Sequence, residues 1–258
     1  MTQRQMVPGL TGRVVLVTGG GKGIGAAVAR GFADSGARVM IHCHHSREGA
    51  DELAQGITAE GGEASVIQAD ISAQGEPERV IGACVERFGQ LDVLVNNAGA
   101  MVGRQRLGDV DDAFIDQVFD LNVRSVIHAC RAAEPHLATT QGSIINVSSI
   151  SARTGGSPGS SIYSAAKGFV ATFTKSMAHE LAEKGIRVNA VSPGTVYTDF
   201  HRDYSTPDKL ERTRQGIPLK RLAAAEDCAG SFLYLASDTL SGYVTGQVVE
   251  VNGGQLLA

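Results

Sequence analysis

The chain has 258 residues, 43% hydrophobic and 5% aromatic with no Trp, and a formal net charge of -4. That length buries one large core without forcing a second domain. Lys and Arg are scattered rather than gathered into a basic stripe, no run reaches the roughly 20 apolar residues that span a bilayer, and "MTQRQMVPGL" lacks a signal peptide's apolar centre. Nucleic acid and membrane are therefore excluded as partners, and a cytoplasmic protein is expected.

Seven short β-branched runs alternate with longer helical patterns: "RVVLVTG" (13–19), "ARVMIHC" (37–43), "ASVIQAD" (64–70), "LDVLVNN" (91–97), "GSIINVSS" (142–149), "IRVNAVSP" (186–193) and "GQVVEVNGG" (246–254). Continuous Val and Ile runs, without strict polar alternation, predict strands covered on both faces. The expectation is an α/β fold, a doubly wound parallel sheet with helices on each side. One domain, 1–258, is expected, with a tail over about 1–10 and one extended break at about 194–225 that carries Pro207 and Pro218. In such sheets the loops past the strand C-terminal ends build the ligand crevice, so this break is expected to cover a substrate.

The first strand runs into "TGGGKGIG", where Gly19, Gly23 and Gly25 precede a helical pattern. A glycine turn here lets backbone N–H groups approach a pyrophosphate at a helix N-terminus. With Lys22 and Ile24 it predicts a dinucleotide site.

The second strand ends in "HCHHSRE". A carboxylate there hydrogen-bonds an adenosine ribose 2'-hydroxyl and repels a 2'-phosphate. No acid occupies 42–46, while Ser46 and Arg47 follow and Lys22 is nearby, so NADP(H) is favoured over NAD(H). His42, His44 and His45 beside Cys43 invite a zinc reading, but strand alternation separates Cys43 from His42 and His44, and no second cluster closes a ligand set. No metal is expected. Cys43, Cys84, Cys130 and Cys228 have no C-x-x-C pairing and read as reduced core thiols.

"NNAG" (96–99) ends the fourth strand, and "INVSS" brings Ser148 and Ser149 to the end of the fifth. In "IYSAAKGF", Tyr163 and Lys167 lie four apart and share a helix face. Ile162, Ala166, Phe169, Phe173 and Met177 form the expected apolar stripe, with the pair beside it. An ammonium about 4 Å from the phenol at an effective dielectric near 20 would contribute about 4 kcal/mol, roughly 3 pKa units, bringing the phenol towards neutral. Tyr163 is then a workable acid and base.

The order glycine turn, "NNAG", serine, Tyr-x-x-x-Lys resembles the short-chain dehydrogenase/reductase family from about Leu10 to Gly254. The resemblance implies a single-domain Rossmann-like oxidoreductase in which Tyr163 protonates a substrate carbonyl oxygen. It implies that Lys167 lowers the tyrosine pKa and holds the nicotinamide ribose, and that Asn122 holds a water leading to that lysine. The family serine maps to Ser149, with Ser151 as the alternative because the spacing to Tyr163 is one residue longer than common. Asp70 and Ile71 map near the adenine, Asn96, Ala98 and Gly99 near the adenosine ribose, and Pro193, Gly194, Val196 and Thr198 near the nicotinamide. A homotetramer through helices at about 111–133 and 161–184 is implied, as is a likeness to 3-oxoacyl-carrier-protein reductases and to sugar or polyol dehydrogenases. Arg202, Arg212 and Arg214 are candidates for meeting an acidic acyl carrier protein. A non-catalytic dinucleotide sensor is the competing class.

Overall fold

The computed structural model describes residues 6–257. From the N-terminal side the elements are β1 (Val14–Val17), α1 (Gly23–Asp34), β2 (Arg38–Cys43), α2 (Arg47–Ala59), β3 (Glu63–Gln68), α3 (Glu76–Phe88) and β4 (Val93–Asn96). There follow α4 (Asp112–Phe119), a π-helical turn (Asp120–Arg124), α5 (Ser125–Thr140), β5 (Ser143–Val147), α6 (Ser151–Thr154), α7 (Ser161–Leu181) and β6 (Arg187–Pro193). The last elements are α8 (Asp199–Tyr204), α9 (Pro207–Gly216), α10 (Glu226–Ala236), α11 (Asp238–Ser241) and β7 (Val248–Val251).

All seven expected strands form, and they make one sheet in the order β3-β2-β1-β4-β5-β6-β7, parallel throughout. The order reverses between β1 and β4, which opens a crevice at the C-terminal edge where ligands bind in doubly wound sheets. Alternation along β1 divides the core: Val15 and Val17 join Phe32, Ile41 and Phe232 on one face. Val14 and Leu16 join Ile81, Leu94, Leu137 and Ile144 on the other. Each fully buried Leu, Ile or Phe contributes roughly 1.5–3 kcal/mol, so both faces must be covered for the sheet to persist. Near-continuous apolar strands are the sequence trace of that requirement.

Two expectations are corrected. Residues 7–10 are not a free tail: Leu10 is fully buried, Val7 packs on the first core, and Ser237 donates to the Pro8 carbonyl at 2.6 Å. Residues 1–5 of that tail lie outside the described residues. The buried face of α7 is also wider than, and rotated from, the apolar stripe 162/166/169/173/177. It carries Ser164, Ala166, Lys167, Val170, Thr174, Ala178 and Leu181, so of the expected stripe only Ala166 is fully buried; Ile162, Phe173 and Met177 pack on the core from its margin, and Phe169 is 37% exposed and stacks on Phe173. The polar members are held by partners: Asn146 of β5 donates to Thr174 at 3.0 Å, and Ser148 donates to the Lys167 carbonyl at 2.9 Å. The four cysteines are free and buried. No helix among the described residues is long and apolar enough to cross a membrane.

Candidate active site

The turn after β1 needs its glycines. Gly19 and Gly23 have φ of +64° and +55°, and a Cβ on Gly25 would run into the Gly19 carbonyl. A Cβ on Gly21 would meet Ser46. The turn is braced from both neighbours. Thr18 accepts from the backbone N–H groups of Asn97 and Ala98, both at 3.0 Å, and Asn97 donates to the Thr18 and Gly19 carbonyls. On the β2 side, buried His42 accepts from the Gly19 N–H at 3.1 Å through Nδ1 and donates to the Ala69 carbonyl through Nε2. That pattern requires a neutral ring, and burial pushes its pKa down to about 4.

Helix α1 starts at Gly23 with no side-chain cap and no acid in its first turn, and Gly23, Ile24 and Gly25 line a cleft of about 1210 Å³. Its unpaired N–H groups and positive dipole end suit a pyrophosphate. Lys22, Ser46, Asp70, Ile71, Ala98 and Gly99 line the same cleft, as do Pro193, Gly194, Val196 and Thr198 at its other end. The donor set and the glycine cradle fit a dinucleotide. Gly194 is required where it lies, because a Cβ would come within 2.7 Å of Asn252 Cβ. Lys22 is ion-paired with Asp199 at 3.2 Å across the cleft mouth.

Two cofactor expectations change. Asn96 points away from the cleft: it is buried, donating to Asn146 at 2.9 Å and to Cys130. Strand alternation turns its neighbour Asn97 to the cleft instead. Arg47 lies outside the cleft lining because it begins α2 and bonds Asp51 one turn on, at 2.7 Å. His44 and His45, stacked at 3.7 Å, line the wall there with Ser46.

Deeper in, the π-helical turn inserts an extra residue into the ladder and carries Asn122 inward. Its Nδ2 donates to the Ala100 and Val118 carbonyls, both at 2.9 Å, which leaves Oδ1 buried without a partner. Gly99 lies between that oxygen and Lys167: a Cβ there would be 2.8 Å from Asn122 Oδ1 and 3.0 Å from Lys167 Nζ. Lys167 Nζ donates to the Val147 carbonyl at 2.9 Å and lies 5.8 Å from the centre of the Tyr163 ring. Burial lowers the Lys167 pKa to about 8.

Tyr163 is half-buried against Phe200, with ring centres 5.7 Å apart. Loss of water pushes its phenol up to about 12, and a hydrogen bond with Ser149 opposes the rise. The expected drop towards neutral is therefore absent from this arrangement. The ammonium is bonded to a backbone carbonyl and too far off to outweigh desolvation. Of the two candidate serines, Ser149 is the one bonded to Tyr163, while Ser151 stands behind it, donating to Ser149 Oγ from its backbone N–H at 3.1 Å and its hydroxyl at 3.0 Å. With both lone pairs occupied, the single Ser149 O–H proton is the one directed at the Tyr163 oxygen, where a substrate oxygen would compete for it.

Sequence reasoning missed the mouth of the cleft, where Arg104, Ser157, His201 and Lys209 contribute. No motif marks them, because they come from the loop after β4, the loop before α7, and α8 and α9. Of the arginines expected to meet a carrier protein, Arg202 pairs with Asp199 and Arg214 with Glu211.

A family model described as Enoyl-(Acyl carrier protein) reductase matches residues 19–255. The chain is 38% identical to the 3-oxoacyl-[acyl-carrier-protein] reductase of Synechocystis sp. over 253 residues, 96% of this chain and 98% of the relative. Among solved structures, the NADH-dependent reductase A1-R' responsible for alginate metabolism is 37% identical with a TM-score of 0.89, covering 96% of this chain and 99% of that one. The same reductase has been solved complexed with NAD. A short-chain dehydrogenase/reductase of Brucella melitensis, described as glucose/ribitol dehydrogenase, is 31% identical with a TM-score of 0.88, covering 96% and 98% of the two chains.

Proposed function

The chain belongs to the short-chain dehydrogenase/reductase family, nicotinamide-dependent oxidoreductases, and from that premise we propose that it interconverts a carbonyl and a secondary alcohol with NADP(H). When bound, the nicotinamide supplies or takes up the hydride. Tyr163 gives its proton to the substrate oxygen, and the Ser149 hydroxyl donates a second hydrogen bond to that oxygen. Lys167 holds positive charge on the same side of the cleft as the phenol, and the unpartnered Asn122 amide oxygen would hold a water leading to that lysine. The observation that carries this reading is the convergence of a Ser149-bonded Tyr163 and a buried Lys167 on one cleft, with the unpartnered Asn122 Oδ1 buried behind Gly99 of its lining.

The NADP(H) preference rests on the wall at the end of β2, where residues 42–46 include no acid and Ser46 and Lys22 are donors. The pyrophosphate belongs on the N-terminus of α1, the adenine beside Asp70 and Ile71, and the nicotinamide beside Pro193, Gly194, Val196 and Thr198. A cytoplasmic homotetramer paired through α5 and α7 is part of the proposal, supported by the exposed Phe169.

Two substrate classes follow from the relatives: 3-oxoacyl thioesters, free or on an acyl carrier protein, and ketones related to sugars or polyols. The polar cleft mouth favours the second. Nicotinamide absorbance during turnover, with NADPH and NADH offered separately against 3-oxoacyl thioesters, diketones, ketoses and simple ketones, is the test. Faster oxidation of NADPH by one class supports the reading. Silence of every pair in both directions, with cofactor binding intact, favours a dinucleotide sensor.

A further inference from the structure

At the cleft mouth two cations converge on one neutral oxygen. Arg104 Nη1 donates to Ser157 Oγ at 2.9 Å and Lys209 Nζ donates to the same oxygen at 2.8 Å. Arg104 is also fixed by its Nε donating to the Tyr204 carbonyl at 3.0 Å and by Nη1 donating to the Pro158 carbonyl at 3.3 Å. Its Nη2 has no hydrogen-bond partner among the described residues. No carboxylate lies within ion-pair distance of Arg104 or Lys209 among them; Asp203 lines the cleft but reaches neither, and Asp199 is taken by Lys22 and Arg202.

Among the described residues most other arginines have an acidic partner, as with Arg13 and Asp92, Arg47 and Asp51, or Arg221 and Asp227. Holding two like charges on one hydroxyl without a counter-ion is unfavourable. Lys209 is held below its usual pKa by burial and by Arg104, and the same two cations add to the lowering of nearby His201, to about 4. The loop that delivers Arg104 is not relaxed either: Val102 adopts φ of +67°, a left-handed conformation costly for a β-branched residue. Gly159, φ +80°, leaves room for Arg104, since a Cβ there would be 3.2 Å from the Arg104 Cβ.

We propose that Arg104 and Lys209 form an anion subsite at the mouth of the cleft, and that the carbonyl substrate carries a carboxylate or phosphate that completes it. The charged end of a small oxo acid or oxo phosphate docks against Arg104 Nη2 and Lys209 Nζ while its carbonyl faces Tyr163. This deepens the carbonyl-reductase reading and rests on it for the reaction, but not for the binding.

The test uses matched pairs that differ only in charge, levulinate against levulinamide and dihydroxyacetone phosphate against dihydroxyacetone, with the full chain and NADPH. In at least one pair the charged member should have a kcat/KM roughly 10- to 100-fold higher, carried by KM, the usual range for a charge-assisted hydrogen bond. The preferred pair identifies carboxylate or phosphate. Arg104→Gln and Lys209→Gln should each bring the ratio towards one, whereas Arg106→Gln, outside the cleft lining, should keep it. A ratio near one in the wild type, or a ratio that survives in both variants, overturns the subsite. So does a 3-oxoacyl thioester on an acidic carrier protein that outperforms both charged compounds and is unaffected by Lys209→Gln.

Calorimetry on enzyme loaded with oxidised cofactor separates the two readings. Charge-selective binding of levulinate or dihydroxyacetone phosphate that is lost in the variants supports the subsite even if nothing is reduced, in which case the reductase reading fails alone. Absence of charge-selective binding overturns the subsite whatever the turnover.

Discussion

Lys167 donates its ammonium to the Val147 carbonyl at 2.9 Å, so the strand end of β5, not the tyrosine hydroxyl, fixes the lysine. The bond ties α7 to the sheet at the point where Tyr163, one turn earlier, reaches Ser149. It also explains a lysine on the buried face of a helix. The ammonium is desolvated but not orphaned, which lowers its pKa to about 8 without abolishing its charge at neutral pH.

The first prediction follows from that value. A lysine with a lowered pKa is charged below it and neutral above it. If its charge supports protonation of the substrate by Tyr163, kcat/KM for reduction should be level at neutral pH and decline as pH rises through about 8. A pH profile with the best ketone checks this, and a profile that instead rises above pH 8 rejects it.

The phenol behaves differently in the cofactor-free protein. With burial holding Tyr163 at about 12, ultraviolet difference titration should detect no phenolate from this residue near neutral pH. The comparison is wild type against Tyr163→Phe. A phenolate signal near pH 7 that vanishes in the variant would show that the lysine outweighs desolvation after all.

Gly99→Ala tests the spacing between Asn122 and Lys167. Its new methyl would lie 2.8 Å from one polar atom and 3.0 Å from the other, forcing one aside. Displacements of this size in a catalytic constellation cost up to about 100-fold in rate. We expect a 10- to 100-fold loss of kcat/KM with a Tm change of no more than about 4 °C, measured by steady-state kinetics and thermal melts.

Acid stability should depend on His42. Its folded pKa of about 4 lies below the ordinary 6.5, so the unfolded chain binds the proton first. The contribution is complete above pH 6.5 and is lost as pH falls towards 4, amounting to at most about 3 kcal/mol. His42→Asn removes this titration. Its Tm should therefore fall less steeply between pH 6.5 and 4 than that of the wild type, and parallel curves would contradict the assignment.

The fold was legible wherever one physical demand dominated. Strands buried on both faces must be apolar along their length, and all seven were visible for that reason. The glycine turn and the Tyr163 and Lys167 pair were visible because backbone approach and helical period leave fixed spacings. Helix α7 was misread in part: hydrophobicity found Ala166, Phe173 and Met177 but also the exposed Phe169, and it missed that partners on β5 satisfy a buried Lys167 and Thr174. Asn96 and Asn97 are adjacent and chemically identical, and only the strand period separates the core residue from the cleft residue. The mouth of the cleft left no trace, since Arg104, Ser157 and Lys209 are brought together by three separate segments whose packing no local pattern encodes.

The most direct measurement is turnover by Tyr163→Phe beside the wild type, with NADPH oxidation followed on the best ketone and cofactor binding followed by fluorescence on the same samples. The account predicts that the variant binds cofactor within about threefold of the wild type and loses roughly 100- to 10,000-fold in kcat, the range attributed to a positioned general acid. Undiminished turnover in Tyr163→Phe would contradict it.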